Sequence, residues 1–247
     1  MFYLSLIIEH QLYRRESNMV QVAQCWDDGV VTDLRLTEIL RKYGAKATFN
    51  LCPGHYGEKR VEPSWMVPGY IGWSHRGMHG GSFALSELVT VYRGFRIASH
   101  GMRHLSALEH SDEDFLKDAM DARKFLEDLF QIECPGYAWP YGRYTPLKAA
   151  ALLEAGFEYG RTTEYTGCVE SYENPMMLHS SCHFQDPFFY QKYENAKARG
   201  GIFYFWGHSY EMMDSQGMWK QLEDKIAFIA DDSAARWIDV IDIVRKK

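Results

Sequence analysis

A chain of 247 residues suits one large domain or two small ones, and at 46% hydrophobic and 15% aromatic it can bury a sizeable core. A net charge of −6 without a long basic run argues against a nucleic-acid partner, and no apolar stretch approaches the roughly 20 residues that a membrane span needs. Five cysteines, at 25, 52, 134, 168 and 182, are odd in number and lack a CxxC pair; they read as reduced thiols rather than as a disulfide framework or a thiolate zinc site.

The opening "MFYLSLII" is apolar but short, lacks a basic flank, and runs into "EHQLYRRES", which has no small-residue cleavage site. That is a poor fit to a signal peptide, so the expected location is the cytoplasm. Residues 1–18 are read as an extension, with one catalytic domain spanning 19–247. "MVQVAQCW" reads as a strand running into the paired carboxylates Asp27 and Asp28. In "TDLRLTEILRKYG", Leu36, Ile39, Leu40 and Tyr43 recur at helical spacing and Gly44 is a fitting stop. "AKATFNL" is a short buried strand, so the three elements make a βαβ unit with parallel pairing.

Residues 53–90 are dense in Gly, Pro and aromatics and hold no sustained period; the stretch reads as a functional loop or lid inserted in the domain. "FRIASH" is a strand ending at His100. "SDEDFLKDAMDARKFLEDLF" is a helix, with Ser111 and Asp114 resembling a capping box and Phe115, Ala119, Ala122, Leu126 and Leu129 as its apolar stripe. "YAWPYG" follows a short strand, and "TPLKAAALLEAG" is a helix with Thr145 as N-cap, Pro146 at its first position and Gly156 beyond its end. "FEYGRTT" is a strand, 187–199 is weakly helical, "GIFYFWGH" is an apolar strand ending at His208, and "WKQLEDKIAFIA" is a late helix. Such alternation predicts an α/β barrel or an open parallel sheet. Asp27 and Asp28, His100, Pro140 and Tyr141, and His208 each close a strand, which is where such folds place their sites.

His100 and His104 lie four apart, so on a helical turn both imidazoles would reach one metal; in a chain with 10 histidines, such a pair also arises by chance. A strand-end carboxylate completes a His, His, Asp set with positions left for water and substrate. Two adjacent carboxylates then divide the work, one on the metal and one taking a proton from water; an Asp-Gly pair is also a common solvated turn. His208 is the candidate acid for the leaving group, although a histidine ending an apolar strand is also often a packed core residue. The backbone N–H of Tyr141 is the candidate oxyanion donor.

The ordered set "WDDG", "SHGMRH", "AWPYG" and "WGH", from about Val20 to the C-terminus, resembles the polysaccharide deacetylase family, or NodB homology domain. The resemblance implies a distorted (β/α) barrel of about seven parallel strands. It implies a divalent metal on Asp28, His100 and His104, zinc first, with cobalt, nickel or manganese as alternatives. It makes Asp27 the base, Tyr141 the oxyanion donor through its backbone, and His208 the acid. Three departures stand out. The family's Arg two residues before Pro-Tyr-Gly is here Ala138, with Arg161 as the candidate replacement. The Asp-Trp motif whose Asp tunes the catalytic His has no evident match. The usual Leu-His is Gly207-His208.

The expected activity is removal of an acetyl group from an N-acetylated sugar, with a carbohydrate as the partner. An O-acetyl ester, a small non-sugar amide, or a non-catalytic carbohydrate-binding role on the same fold are the alternatives. Tyr56, Trp65, Tyr70 and Trp73 of the lid stack on sugar rings or pack the loop, and His55, His75 and His79 offer polar contacts or are ordinary loop histidines.

Overall fold

A strand buried along nearly its whole length belongs inside a sheet covered on both faces. Val20–Asp28 (β1) is such a strand, with every residue buried except the partly exposed Gln21. The computed structural model describes residues 19–65, 77–166, 172 and 174–245. The 1–18 extension, the lid residues Tyr70, Trp73 and His75, and Cys168 lie outside the described residues.

In chain order, β1 leads to α1 (Asp33–Lys42) and β2 (Thr48–Leu51), and the 53–90 stretch contributes a two-stranded antiparallel ladder, β3 (Ser64–Trp65) with β4 (Met78–His79), and a short α2 (Leu88–Val91). Then follow β5 (Arg96–Ser99), α3 (Asp112–Phe130), β6 (Gly136–Ala138), α4 (Pro146–Glu154) and β7 (Tyr159–Tyr165). The last part is β8 (Leu178–Ser180), β9 (Cys182–His183), α5 (Phe189–Ala198), β10 (Ile202–Gly207), α6 (Met218–Asp231), β11 (Ala235–Trp237) and α7 (Val240–Arg245). The caps read from sequence are in place: Ser111 and Thr145 side chains accept the N–H of Asp114 and Lys148, each at 3.1 Å. No helix among the described residues is long and apolar enough to cross a membrane.

The main sheet runs β8-β7-β6-β5-β2-β1-β10-β9 with parallel pairing throughout, and β11 joins the first residues of β1. Its two end strands are neighbours in the chain. β8 lies along β7 and β9 along β10, with only Ser181 between them, whose N–H donates to the Tyr204 carbonyl at 2.6 Å. They act as one interrupted strand, so the sheet curls into a nearly closed (β/α) barrel with about seven strand positions, as expected. The helices bury their apolar stripes outside it. Leu36, Ile39 and Leu40 of α1 and Leu222, Ile226 and Ile229 of α6 share one core with Phe49, Phe203 and Phe205 of the sheet. Phe115 and Ala119 of α3 and Ala149 and Leu152 of α4 share another with Tyr137 and Trp139.

The interrupted strand explains one sequence departure. Phe184, just past β9, packs its ring 5.3 Å from that of Trp26. A Cβ on Gly207 would lie 2.2 Å from Phe184 Cδ1 and 3.1 Å from the Trp26 ring. Glycine stands before His208 because an aromatic side chain occupies the space a larger residue would need. Gly207→Leu should therefore lose about 1–3 kcal/mol of stability in urea unfolding through overpacking. Adding Phe184→Ala should recover part of that loss, and an unchanged single variant would contradict the packing argument.

Candidate active site

In a regular strand, Asp27 and Asp28 would face opposite sides. Here Asp28 has φ +75° and Gly29 φ +67°, so two successive left-handed residues swing the chain out of β1. Gly29 has no substitute, because a Cβ there would sit 2.0 Å from the Tyr56 hydroxyl oxygen. Both carboxylates consequently line one cavity of about 210 Å³, together with His100, His104, Arg161 and His208. Asp28, His104 and Tyr141 are three of the four non-glycine residues with positive φ among the described residues, the fourth being Gln131. Such backbone costs on the order of 1–3 kcal/mol each and gathers where function demands it.

Asp28 Oδ1 lies 3.7 Å from Nε2 of both His100 and His104, and those nitrogens are 3.1 Å apart. His100 Nδ1 sits 2.8 Å from the Ala138 carbonyl, so that nitrogen carries the proton and Nε2 keeps its lone pair. Burial lowers the His100 pKa, and burial together with the neighbouring His100 lowers that of His104 to about 3, so both rings are neutral. Three donors about 2.0–2.1 Å from a zinc-sized ion would be roughly 3.3 Å from one another, close to the spacings seen. The residues fit a divalent cation. Tyr210 donates its hydroxyl to the other oxygen of Asp28 at 3.1 Å.

The histidine pair is not on a helical turn, contrary to the reading of its spacing: residues 100–104 are irregular, with a bend at 102–103. A buried carboxylate shapes it. Asp118 of α3 accepts the N–H of Met102 at 2.8 Å and of Arg103 at 3.3 Å, and the Arg103 Nε–H at 2.8 Å. The four-residue spacing thus brings both rings together through a side-chain anchor that the spacing does not encode.

Asp27 has a separate set of partners. Asn50, opposite it on β2, donates Nδ2–H at 2.7 Å, and the Arg161 guanidinium pairs with its other oxygen. Burial would raise the Asp27 pKa, but Arg161, then His100 and His208, overcome this and hold the carboxyl well below the usual carboxylate range. Arg161 is 1% exposed and lies 4.5 Å over the Trp206 ring. It also sits opposite Ala138 in the β6–β7 ladder. The Arg expected on β6 is therefore supplied from the facing position of β7.

His208 follows β10, with Nε2 3.8 Å from Asp27 Oδ2 and 3.9 Å from Asp28 Oδ2. Its other side meets Glu211, whose Oε2 is 3.4 Å from Nδ1 and accepts the His208 N–H at 2.9 Å. Burial alone would lower the His208 pKa; Glu211, Asp28 and Asp27 outweigh it and push it up to about 9. Ser209 donates to Asp33 of α1, fixing the turn to the barrel wall. Tyr141 sits at φ +58° in the Pro140–Gly142 turn, its ring edge-on to His104 at 4.6 Å. Among the described residues, its N–H donates to no carbonyl outside its own turn.

Asn50, Tyr210, Glu211 and His183 escaped the sequence reading. A lone Asn in the apolar run "ATFNL" and a Glu three residues after His208 were the available signals. A second cavity of about 370 Å³ adjoins the first, lined by Asp28, His55, His79, Ser82, Arg103 and His104 among others. Tyr56 packs in the core with its hydroxyl toward the Asp28 carbonyl at 3.5 Å, whereas Trp65 is exposed.

Removing the Arg161 charge leaves the buried Asp27 without its guanidinium partner, so Arg161→Ala should cost about 3–5 kcal/mol in chemical unfolding. Adding Ala138→Arg, which returns a guanidinium from the adjacent strand, should restore much of that stability. A double variant no better than the single one would contradict the swap.

The family model for polysaccharide deacetylase matches residues 14–160, more than half of the chain. No curated protein matches it. Among solved structures, a probable polysaccharide deacetylase from Pseudomonas aeruginosa PAO1 is 12% identical, with a TM-score of 0.67, over 93% of this chain and 91% of that one. The Bc1960 peptidoglycan N-acetylglucosamine deacetylase is 14% identical, with a TM-score of 0.55, over 92% and 89%. The peptidoglycan deacetylase PdaC from Bacillus subtilis is 12% identical, with a TM-score of 0.55, over 92% and 91%. At these identities the structural likeness is one of fold. The family match spans the strand-end carboxylates and the histidine bend, and the chain belongs to the polysaccharide deacetylase family.

Proposed function

We propose that the protein is a metal-dependent hydrolase that removes acetyl groups from N-acetylated sugars. The observation that carries this reading is the division of the two carboxylates: Asp28 faces two neutral imidazoles, while Asp27 faces Arg161 and Asn50. Asp28, His100 and His104 would hold the ion. When bound, a divalent ion of the zinc type acidifies water and polarises a carbonyl.

The side chains divide the remaining tasks. Asp27 is ionised and takes the proton of the attacking water on Oδ2, the oxygen that faces both His100 and His208. Arg161 and Asn50 fix that carboxylate in place. The Tyr141 N–H supports charge on the former carbonyl oxygen, in the manner of an oxyanion hole. His208, whose pKa burial would lower but Glu211, Asp28 and Asp27 raise, gives its Nε2 proton to the departing amine. Glu211 holds the other face of that ring, taking the part for which no Asp-Trp motif was found. The larger cavity beside Asp28 has room for sugar on the side away from His208. Deacetylase names borne by proteins of the same fold support the acetyl assignment, and the acid opposite two carboxylates favours an amide, whose nitrogen must be protonated to leave.

The test is a leaving-group comparison. His208→Ala should lower acetate release from an N-acetylated oligosaccharide by about 10²–10⁴-fold. An aryl acetate, which departs as a stable phenolate, should lose far less, with the equivalent of metal at Asp28, His100 and His104 unchanged. Equal losses on both substrates in a folded, metal-loaded variant would remove His208 from the acid role.

A further inference from the structure

Proton donation uses the Nε2 side of His208 and leaves its Nδ1 side in a second cluster. Glu211 Oε2 lies 3.4 Å from His208 Nδ1 and 3.0 Å from His183 Nε2, and the three donor atoms all lie within 4.8 Å of one another. These separations match the roughly 3.3 Å between donors that a tetrahedral ion about 2.0–2.1 Å from each would require. His208 Nδ1 is buried and makes no well-aligned hydrogen bond. His183, on the interrupted strand, is braced by the rings of Phe184 at 4.8 Å and Trp206 at 4.9 Å. Two imidazoles and a carboxylate are a donor set that suits zinc. Among the described residues only this group and the Asp28 triad bring three such donors together.

We propose that His183, His208 and Glu211 form a second, weaker site for a divalent cation of the zinc type, and that filling it switches the enzyme off. The inhibitory half of this inference rests on the acid role of His208; the binding half does not. The ion takes the lone pairs of His208 Nδ1 and His183 Nε2. The imidazolium of His208 releases its Nδ1 proton to solvent and becomes a neutral, metal-bound ring. Its remaining Nε2–H is a far poorer acid than that of the imidazolium, so the departing amine goes unprotonated. His183 accepts the Gln185 N–H on Nδ1 at 3.3 Å, which places its own proton on Nε2, facing Glu211. That proton must leave Nε2 for Nδ1, at the expense of this long hydrogen bond, which makes the second site the weaker one.

The experiment titrates the metal-free protein with zinc in equilibrium dialysis and follows acetate release in parallel. Two equivalents should bind, the second about 10–100-fold more weakly, as expected for a ligand without its supporting hydrogen bond. Activity should rise with the first and fall by about 10²-fold or more as the second fills. His183→Gln and Glu211→Gln should each lose only the second equivalent, and His104→Ala only the first, with melting temperatures confirming folded proteins. A protein that deacetylates nothing yet binds both equivalents would leave the site standing and overturn the inhibitory half together with the functional reading. A single equivalent in the parent, or a second one that survives in both His183→Gln and Glu211→Gln, overturns the site itself.

Discussion

Two like charges on neighbouring residues at a buried strand end are the constraint around which this site is arranged. At about 4 Å and an effective dielectric near 20, such charges repel by about 4 kcal/mol, and burial adds a desolvation cost for each. The fold's answer is to give each carboxylate its own partners. The left-handed backbone at Asp28 and Gly29 lets both face the cavity, whereas an ordinary strand would have sent one into the barrel wall. Asp27 then takes an amide from the neighbouring β2 and a guanidinium from β7, three strands beyond it, and Asp28 takes the histidine bend and the Tyr210 hydroxyl.

The rest of the barrel serves that arrangement. β2 carries Asn50 beside Asp27, β5 ends at the bend, β7 carries Arg161, and β10 ends at His208. The turn after β10 is pinned at each of residues 208–211: His208 and Glu211 to each other, Ser209 to Asp33, and Tyr210 to Asp28. In the proposed acid role, a side chain so fixed need not be ordered during turnover, the form of preorganisation from which catalytic groups draw much of their effect.

Much of this was legible in the sequence because it is local. Strand, helix and cap signals depend on near neighbours, and those placed β1, α1, α3, α4 and β10 correctly. The ordered motifs singled out the strand-end carboxylates, the histidine pair and His208. What stayed hidden depends on partners far apart in the chain. Arg161 is 134 positions from Asp27, and only the β6–β7 register shows that it faces Ala138. Asp118 shapes the histidine bend from another element altogether. β8 and β9 are too short for any period to emerge, since three and two residues give no alternation to detect, although together they close the barrel. The reason for glycine before His208, where the family usually has Leu, is the Phe184 ring that fills the space from another element.

Whether the adjacent carboxylates do different work is decided by zinc bound at the histidine triad and turnover, measured together on Asp27→Asn and Asp28→Asn. Asp27→Asn should retain a full equivalent at the histidine triad and lose about 10²–10⁴-fold in turnover, as removal of a general base does. Asp28→Asn should lose both the triad's equivalent and the activity. An Asp27→Asn protein emptied of metal, beside an Asp28→Asn protein that keeps it, would contradict the account.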